Sequence, residues 1–283
     1  MHSHSPKRSA ALRLHPVLTE MLKGLADTEF GDEFRQKAVA VSTHLLTATP
    51  IDRRAALAPH RWMLERARGN GLPLTAAGYL KPADARELAA LLPEMRDYPW
   101  AGTREVDAHP VFHFREHLRE TGLLRRHKGT LRLSKRGREC DGDVDTLWRH
   151  LADTFVPQLS AFEAHCAVTL MVYSATSESK IRPQRIARIL TSHGWSHPDG
   201  TPIDDRDVYP VWNWLWGVLG AVGEPGVADP RDFLPRIPGD AARWLIGDAL
   251  FEVSFDADVV DEAPASRRGG YRPVPPAVTE GWD

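Results

Sequence analysis

The chain has 283 residues, with 36 Lys and Arg against 38 Asp and Glu, so its net charge is −2. Hydrophobic residues make up 42 % and charged residues 26 %, which fits a folded globular protein and excludes a disordered one or a uniformly basic nucleic-acid coat. Two cysteines, Cys140 and Cys166, exclude a disulfide scaffold and a four-cysteine zinc site.

The first residues, MHSHSPKRSAALRL, lack the apolar core of a signal peptide. The densest apolar stretch, 208–223, is interrupted by Pro210, Asn213 and three glycines and is shorter than the roughly 20 residues that span a bilayer. A cytoplasmic location and no membrane partner are expected. Residues 17–48 carry helical spacing through Val17, Leu18, Met21, Leu22 and Leu25, then Ala38, Val41 and Leu45 after Gly31. Thr49-Pro50 reads as an N-cap with proline at the first helical position, and Asp52 would then sit in the first turn. Pro59 should break or restart that helix, and Gly69-Asn70-Gly71 should end it.

Leu72–Thr75 reads as extended. Pro82 opens a helix with Ala85, Leu88, Ala89 and Leu92 on its inner face, and Pro93 closes it. Residues 94–109 are loop-like. His109-Pro110 begins a helix that ends at Gly122, with Val111, Phe114, Leu118 and Thr121 on one side and His113, Glu116, His117 and Glu120 on the other. Leu123-Leu124 and Leu131–Leu133 then flank a His127-Lys128-Gly129-Thr130 turn, the pattern of a β-hairpin. A helix followed by a basic hairpin is the layout of a winged helix.

Residues 144–173 read as one helix kinked at Pro157, and SATSESK as a polar break. A helix from Pro183 stops at Gly194, and a second apolar helix runs from Asp207 to Gly223. On that helix Asn213, Gly217 and Gly220 form a narrow strip that implies a close neighbour. The segment DFLPRIPGDAARWLIGDALF is a short extended piece and a last helix. From 256 the periodicity stops, and 256–283 reads as a disordered tail. LPLTAAG, LRLSKRG and FLPRIPG each place an apolar piece before a glycine and a helix, a faint internal repeat. The fold expected is mainly α: a helical N-terminal section (1–71), a first winged-helix-like unit (72–143), a connecting helix (144–182), a second such unit (183–255) and the tail.

The run LPLTAAGYLKPADARELAALL, followed in register by TREVDAHPVFHFREHLRETGLLRRHKGTLRLSKRGRE and VDTLWRHLADTF, resembles the C-terminal helical region of actinobacterial Ri-plasmid open-reading-frame-three-like proteins. The shared pattern is Leu-Thr-x-x-Gly-Tyr-Leu-x-Pro, an Arg-Glu pair, a helix ending in Gly-Leu, a basic Lys-Gly turn, Leu-x-Leu-Ser-x-x-Gly and Leu-Trp-x-x-Leu. It covers about residues 72–156, with a looser echo over 183–251. The β-rich domain that usually precedes this region in the family has no counterpart in the short helical N-terminus. The resemblance implies a fold and no catalytic residues.

Nine cations between Arg115 and Arg138 stand against Glu116 and Glu120, a local charge of +7. The candidate nucleic-acid contacts are Arg125, Arg126, Lys128, Arg132, Lys135 and Arg136, which would neutralise phosphates; the alternative is a solvated strand face. The helix before them carries carboxylates, which repel phosphate. His109, His113 and His117 could share a helix face and hold zinc with Glu105 or Asp107, but HxxxH lacks the glutamate of a zinc protease, so surface histidines and no metal are expected. Trp212 and Trp216 lie 40° apart at 100° per residue and Trp214 on the opposite side, so the three make core and not a flat platform. Cys166 reads as inert core, whereas the basic run before Cys140 would favour its thiolate. No GxSxG, P-loop or GxGxxG motif is present, and Ser174 with Lys180 only superficially suggests a Ser-x-x-Lys nucleophile. The sequence therefore points to a non-enzymatic DNA-binding or regulatory module without cofactor, with duplex DNA as partner, or to a protein-interaction scaffold with a protein partner.

Overall fold

A computed structural model of the chain describes residues 10–96, 104–157, 160–177, 181–224 and 237–255. Its contacts group Leu12–Val253 into one compact unit. A second unit joins Met1–Ala11 to Ser254–Asp283, of which only residues 10, 11, 254 and 255 are described, as ends of two strands. The tail expected over 256–283 lies outside the described residues.

Strand β1 (Ala10–Leu14) leads into α1 (Pro16–Leu25), where proline occupies the first turn and the His15 ring accepts the Val17 N–H at 3.2 Å. Leu18, Met21 and Leu25 are buried at helical spacing, and α2 (Gly31–Thr47) follows with Phe34, Ala38, Val41 and Leu45 inward. The next cap differs from the Thr49-Pro50 expectation. Asp52 is the N-cap of α3 (Arg53–Ala56), its carboxylate accepting the Arg54 and Ala55 amides at 2.9 and 3.1 Å. One carboxylate oxygen satisfies two orphan donors there. Pro59 restarts the chain as the first turn of α4 (Ala58–Arg66).

Strand β2 (Leu72–Pro73) precedes α5 (Pro82–Leu91), 3-10 turns at Pro93–Met95 and Glu105–Asp107, and α6 (His109–Glu120). The hairpin strands β3 (Leu124–His127) and β4 (Thr130–Leu133) come next, then the short helix α7 (Lys135–Cys140). Strand β4 lies between β2 and β3, antiparallel to both. Leu72, Leu124, Leu131 and Leu133 are buried under this small sheet, and Ala85, Leu88, Val111, Phe114 and Leu118 pack beneath it in one continuous core cluster.

The kinked helix expected over 144–173 is two helices, α8 (Val144–Asp153) and α9 (Ala161–Thr176). Each has its own N-cap: Asp143 accepts the Asp145 and Thr146 amides, and Ser160 accepts the Glu163 amide. The SATSESK break also starts later than expected, because Ser174 is buried inside α9. Helix α9 lies in the core. Its residues Ala164–Ser174 are buried on every side, and it touches α1, α2, α10 (Pro183–His193), α11 (Asp205–Leu219) and α12 (Asp240–Leu250). Strand β5 (Phe251–Phe255) pairs with β1. The described part of the protein is thus mainly helical with two small sheets.

The repeat that the structure supports is not the one read from the three glycine segments. Gly137 lies inside α7 rather than ahead of a helix, and 233–236 fall outside the described residues. A different pair of turns matches bond for bond. Leu74 bridges Leu80, the Thr75 N–H donates to the Tyr79 carbonyl at 2.8 Å and the Gly78 N–H to Thr75 at 2.9 Å. Ser196 bridges Pro202, the His197 N–H donates to Thr201 at 2.9 Å and the Gly200 N–H to His197 at 2.9 Å. Gly78 (φ 85°) and Gly200 (φ 82°) hold the same left-handed position, where an L side chain is strained. A helix precedes each turn and another follows each.

Candidate nucleic-acid interface

The hairpin is launched by the end of α6. Gly122 adopts φ 72°, and the Leu123 N–H donates to the Leu118 carbonyl and the Gly122 N–H to Arg119, both at 3.0 Å, the paired bonds of a Schellman end. At the tip both Lys128 (φ 46°) and Gly129 (φ 72°) are left-handed, the two-residue turn whose twist suits a hairpin. Ser134 then caps α7 by accepting the Gly137 N–H at 2.8 Å. Gly137 is required where it stands, since a Cβ there would lie 2.0 Å from the Leu123 carbonyl oxygen.

The register divides the six candidate cations. Arg125 faces Arg132 directly across the ladder and His127 faces Thr130, so this pair of arginines shares the outer face, a like-charge opposition that costs stability. Arg126 is opposite buried Leu131, and its guanidinium lies over the turn at Gly78, within 2.8 Å of where a Cβ would stand. Lys128 is at the tip. Arg125, Arg126, Lys128 and Lys135 are exposed and have no carboxylate partner among the described residues. Lys135 and Arg136, read from sequence with the hairpin, belong instead to the first turn of α7, because the Ser134 cap turns the chain into a helix. Arg136 is engaged there, donating to His150 Nδ1 at 3.1 Å and pairing with Glu139 at 3.2 Å. Arg138 donates to the Leu133 carbonyl and Arg119 pairs with Glu116.

Arg115 leaves the basic surface altogether. It is 4 % exposed and pairs with Glu105, itself fully buried, at 2.6 Å, and with Glu116 at 2.6 Å. Glu105 also accepts the Leu80 N–H. The Arg-Glu pair and the Leu-Thr-x-x-Gly-Tyr-Leu run of the sequence pattern therefore meet at one buried carboxylate. This ion pair is the feature the residue-by-residue reading missed, having placed Glu105 in a loop.

Helix α6 departs from the two-sided expectation. His113 is exposed, but His117 is 5 % exposed, with neither ring nitrogen hydrogen-bonded. The reason is α11: the Trp214 ring stands edge-on to His117 with centroids 6.3 Å apart, and a Cβ on Gly217 would lie 3.8 Å from the His113 Cβ. His60 on α4 is fully buried with both nitrogens unpartnered and its ring edge-on to Phe114 at 4.8 Å. Burial, then the neighbouring His117, lowers the pKa of His60 to about 3; burial, then His150, lowers that of His117 to about 4. The described residues contain no group of three His, Cys, Asp or Glu side chains able to hold a metal ion. The Cys140 expectation is also reversed. The thiol is buried, and burial raises its pKa more than Arg136 lowers it. Cys166 is fully buried and pushed up to about 12, again by burial.

Trp212 and Trp216 are buried at 7 % and 4 % exposure, and Trp214 is half-buried between His117 and Phe155. The close neighbour implied by the small strip on this helix is present at its end, where a Cβ on Gly220 would lie 2.6 Å from Glu94 Oε2. Among the described residues, no helix is long and apolar enough to cross a membrane. No protein-family model matches the chain, and neither the curated proteins nor the solved structures contain a match to it.

Proposed function

We propose that α4, β2, α5, α6, β3 and β4 form a winged-helix unit whose hairpin contacts the phosphate backbone of duplex DNA. The observation that carries this reading is the sheet order β2-β4-β3 with α5 and α6 inserted between β2 and β3, which is the helix–strand–helix–helix–hairpin order of a winged helix. The resemblance of residues 72–156 to the Ri-plasmid family region falls on the same elements. Arg125, Arg126, Lys128 and Arg132 supply the charge, and an arginine pair opposed across a strand ladder is better suited to an anion between them than to isolation. The turn–helix pairs at 74–91 and 196–219 favour a second, related unit containing α10 and α11.

Contact through the hairpin alone gives backbone binding without base readout. Helix α6, which would enter a groove, is covered by α11 through His117 and Trp214. That cover favours the second reading, a protein-interaction scaffold in which the winged-helix shape serves packing. The salt dependence of duplex binding separates the two. Three to four phosphate contacts give a log K against log salt slope of about −3. Replacing Arg125, Arg126, Lys128 and Arg132 together by Ala should abolish retention on DNA at low salt. Such surface changes typically move stability by less than about 0.5 kcal/mol each. A variant that binds like the parent, or a parent that does not bind at all, leaves the scaffold reading.

A further inference from the structure

Trp195 follows α10 directly, where Gly194 (φ 114°) ends the helix and the Trp195 N–H donates to the Leu190 carbonyl at 3.0 Å. The half-buried Trp195 ring stands edge-on to Phe162 of α9 with centroids 5.3 Å apart, and its indole N–H donates to His165 Nδ1 at 3.0 Å. An indole N–H can only donate, so Nδ1 is the bare nitrogen of His165. The ring proton is then on Nε2, which donates to Glu20 Oε2 of α1 at 3.2 Å. His165, 7 % exposed, thus bridges α1 to the residue that begins the 196–202 turn, and it does so as one neutral tautomer.

A second proton acts on the two ends of this bridge in opposite directions. It can only go to Nδ1, where the new N–H would face the indole N–H, and two donors make no bond. At Nε2 the bond to the Glu20 carboxylate becomes charge-assisted. The surrounding groups are few. His193 of α10 stands edge-on to His165 at 4.7 Å with its Nε2 buried and unpartnered, so charge on one ring opposes charge on the other. Glu20 also acts on His15 and on His193. On α9 itself, Glu163 accepts the Ser160 hydroxyl. His197, in the turn, pairs with Asp207 of α11 at 3.1 Å, a contact that protonation strengthens. Acid therefore keeps the turn tied to α11 while it loosens the Trp195 end.

We infer that His165 is a proton-sensitive latch. Neutral, it holds the Trp195 ring on α9 and with it the start of the 196–202 turn; protonated, it turns to Glu20 and lets the ring go. The latch shares no residue with the basic hairpin and does not depend on whether the hairpin binds DNA.

Indole N–H spectra of the full chain by nuclear magnetic resonance, between about pH 8 and pH 5.5, test it, with the Trp195 signal assigned from Trp195→Phe. As the pH falls, the Trp195 Nε1–H should shift upfield and exchange faster with water, while far-ultraviolet dichroism stays constant because the release is local. His165→Gln should abolish this pH dependence, and His193→Gln should leave it in place. Glu20→Gln alters a side chain that is 62 % exposed and removes the charge that favours the protonated ring, so the change should need a lower pH. The proposal is overturned by a Trp195 signal that does not move in the folded parent, that moves at the same pH in Glu20→Gln, that still moves in a folded His165→Gln variant, or that stops moving in a folded His193→Gln variant. The parent and Glu20→Gln decide the matter even if His165→Gln does not fold.

Discussion

His60 and His117 are imidazoles placed where they can carry no charge. Both are buried, all four ring nitrogens are unpartnered, and their pKa values fall to about 3 and about 4. In the unfolded chain a histidine titrates near 6.5. As the pH falls below about 6.5 the unfolded chain therefore takes up protons that the folded one refuses. Stability is complete above that pH and declines down to about pH 4 for His117 and about pH 3 for His60. Between pH 6.5 and 5 each histidine should contribute about 2 kcal/mol of loss. Urea denaturation at pH 7 and pH 5 checks this: the parent should lose several kcal/mol and a His60→Leu, His117→Leu variant markedly less. Equal losses would refute the assignment. At this scale the sequence was least legible. Three residues at 100° each put His117 only 60° from Phe114, so grouping it with the exposed side was an error, and α11 closes over it through Trp214. Glu105 was hidden for a related reason, since its partner Arg115 lies ten residues away across a loop and no periodicity links them.

The tryptophan helix shows an element that sequence angles do determine. Apolar residues covering most of its circumference require neighbours on several sides, and α11 is lined by α6, α9 and α10. Trp212→Ala and Trp216→Ala should each cost about 3–5 kcal/mol, the usual cost of deleting a buried ring, and Trp214→Ala less, because that ring is half-exposed. Thermal melts of the three variants give the order, and iodide quenching gives the accessibility. Mild effects at Trp212 and Trp216, with rings open to iodide, would remove the core assignment. The neighbouring error over 144–173 has an equally local cause. The spacing of Leu147, Leu151 and Phe155 runs toward Phe162 and hides a break. The signal that marks the break was in the sequence: Ser160 with Glu163 three residues on is a capping pattern, and the Ser160 hydroxyl both accepts the Glu163 amide and donates to its carboxylate. Proline at 157 reads as a kink only if that cap is overlooked.

At the scale of the whole unit, the question is whether two winged-helix-like halves could stand apart. Residues far apart in sequence are joined by polar bonds as well as apolar packing. Trp148 on α8 donates its indole N–H to Asp248 on α12 at 2.7 Å, and Arg53 on α3 reaches Asp248 at 3.1 Å and Asp145 at 2.9 Å. Burial raises the Asp248 pKa despite these two donors, so removing either would leave a poorly solvated carboxylate. Helix α9 supplies the apolar half of the argument. Its buried residues, from Ala164 to Ser174, touch α1 and α2 on the N-terminal side and α10, α11 and α12 on the other. A fragment ending at residue 143 keeps the sheet β2-β4-β3 but loses α11 from His117 and α9 from Phe34, exposing surface that no remaining element covers. That fragment should melt without a cooperative transition, whereas the full chain should unfold with coincident far-ultraviolet dichroism and tryptophan fluorescence curves. Two separated transitions in the full chain, or a cooperative melt of the fragment, would show that the halves are independent and that α9 is after all a linker between them.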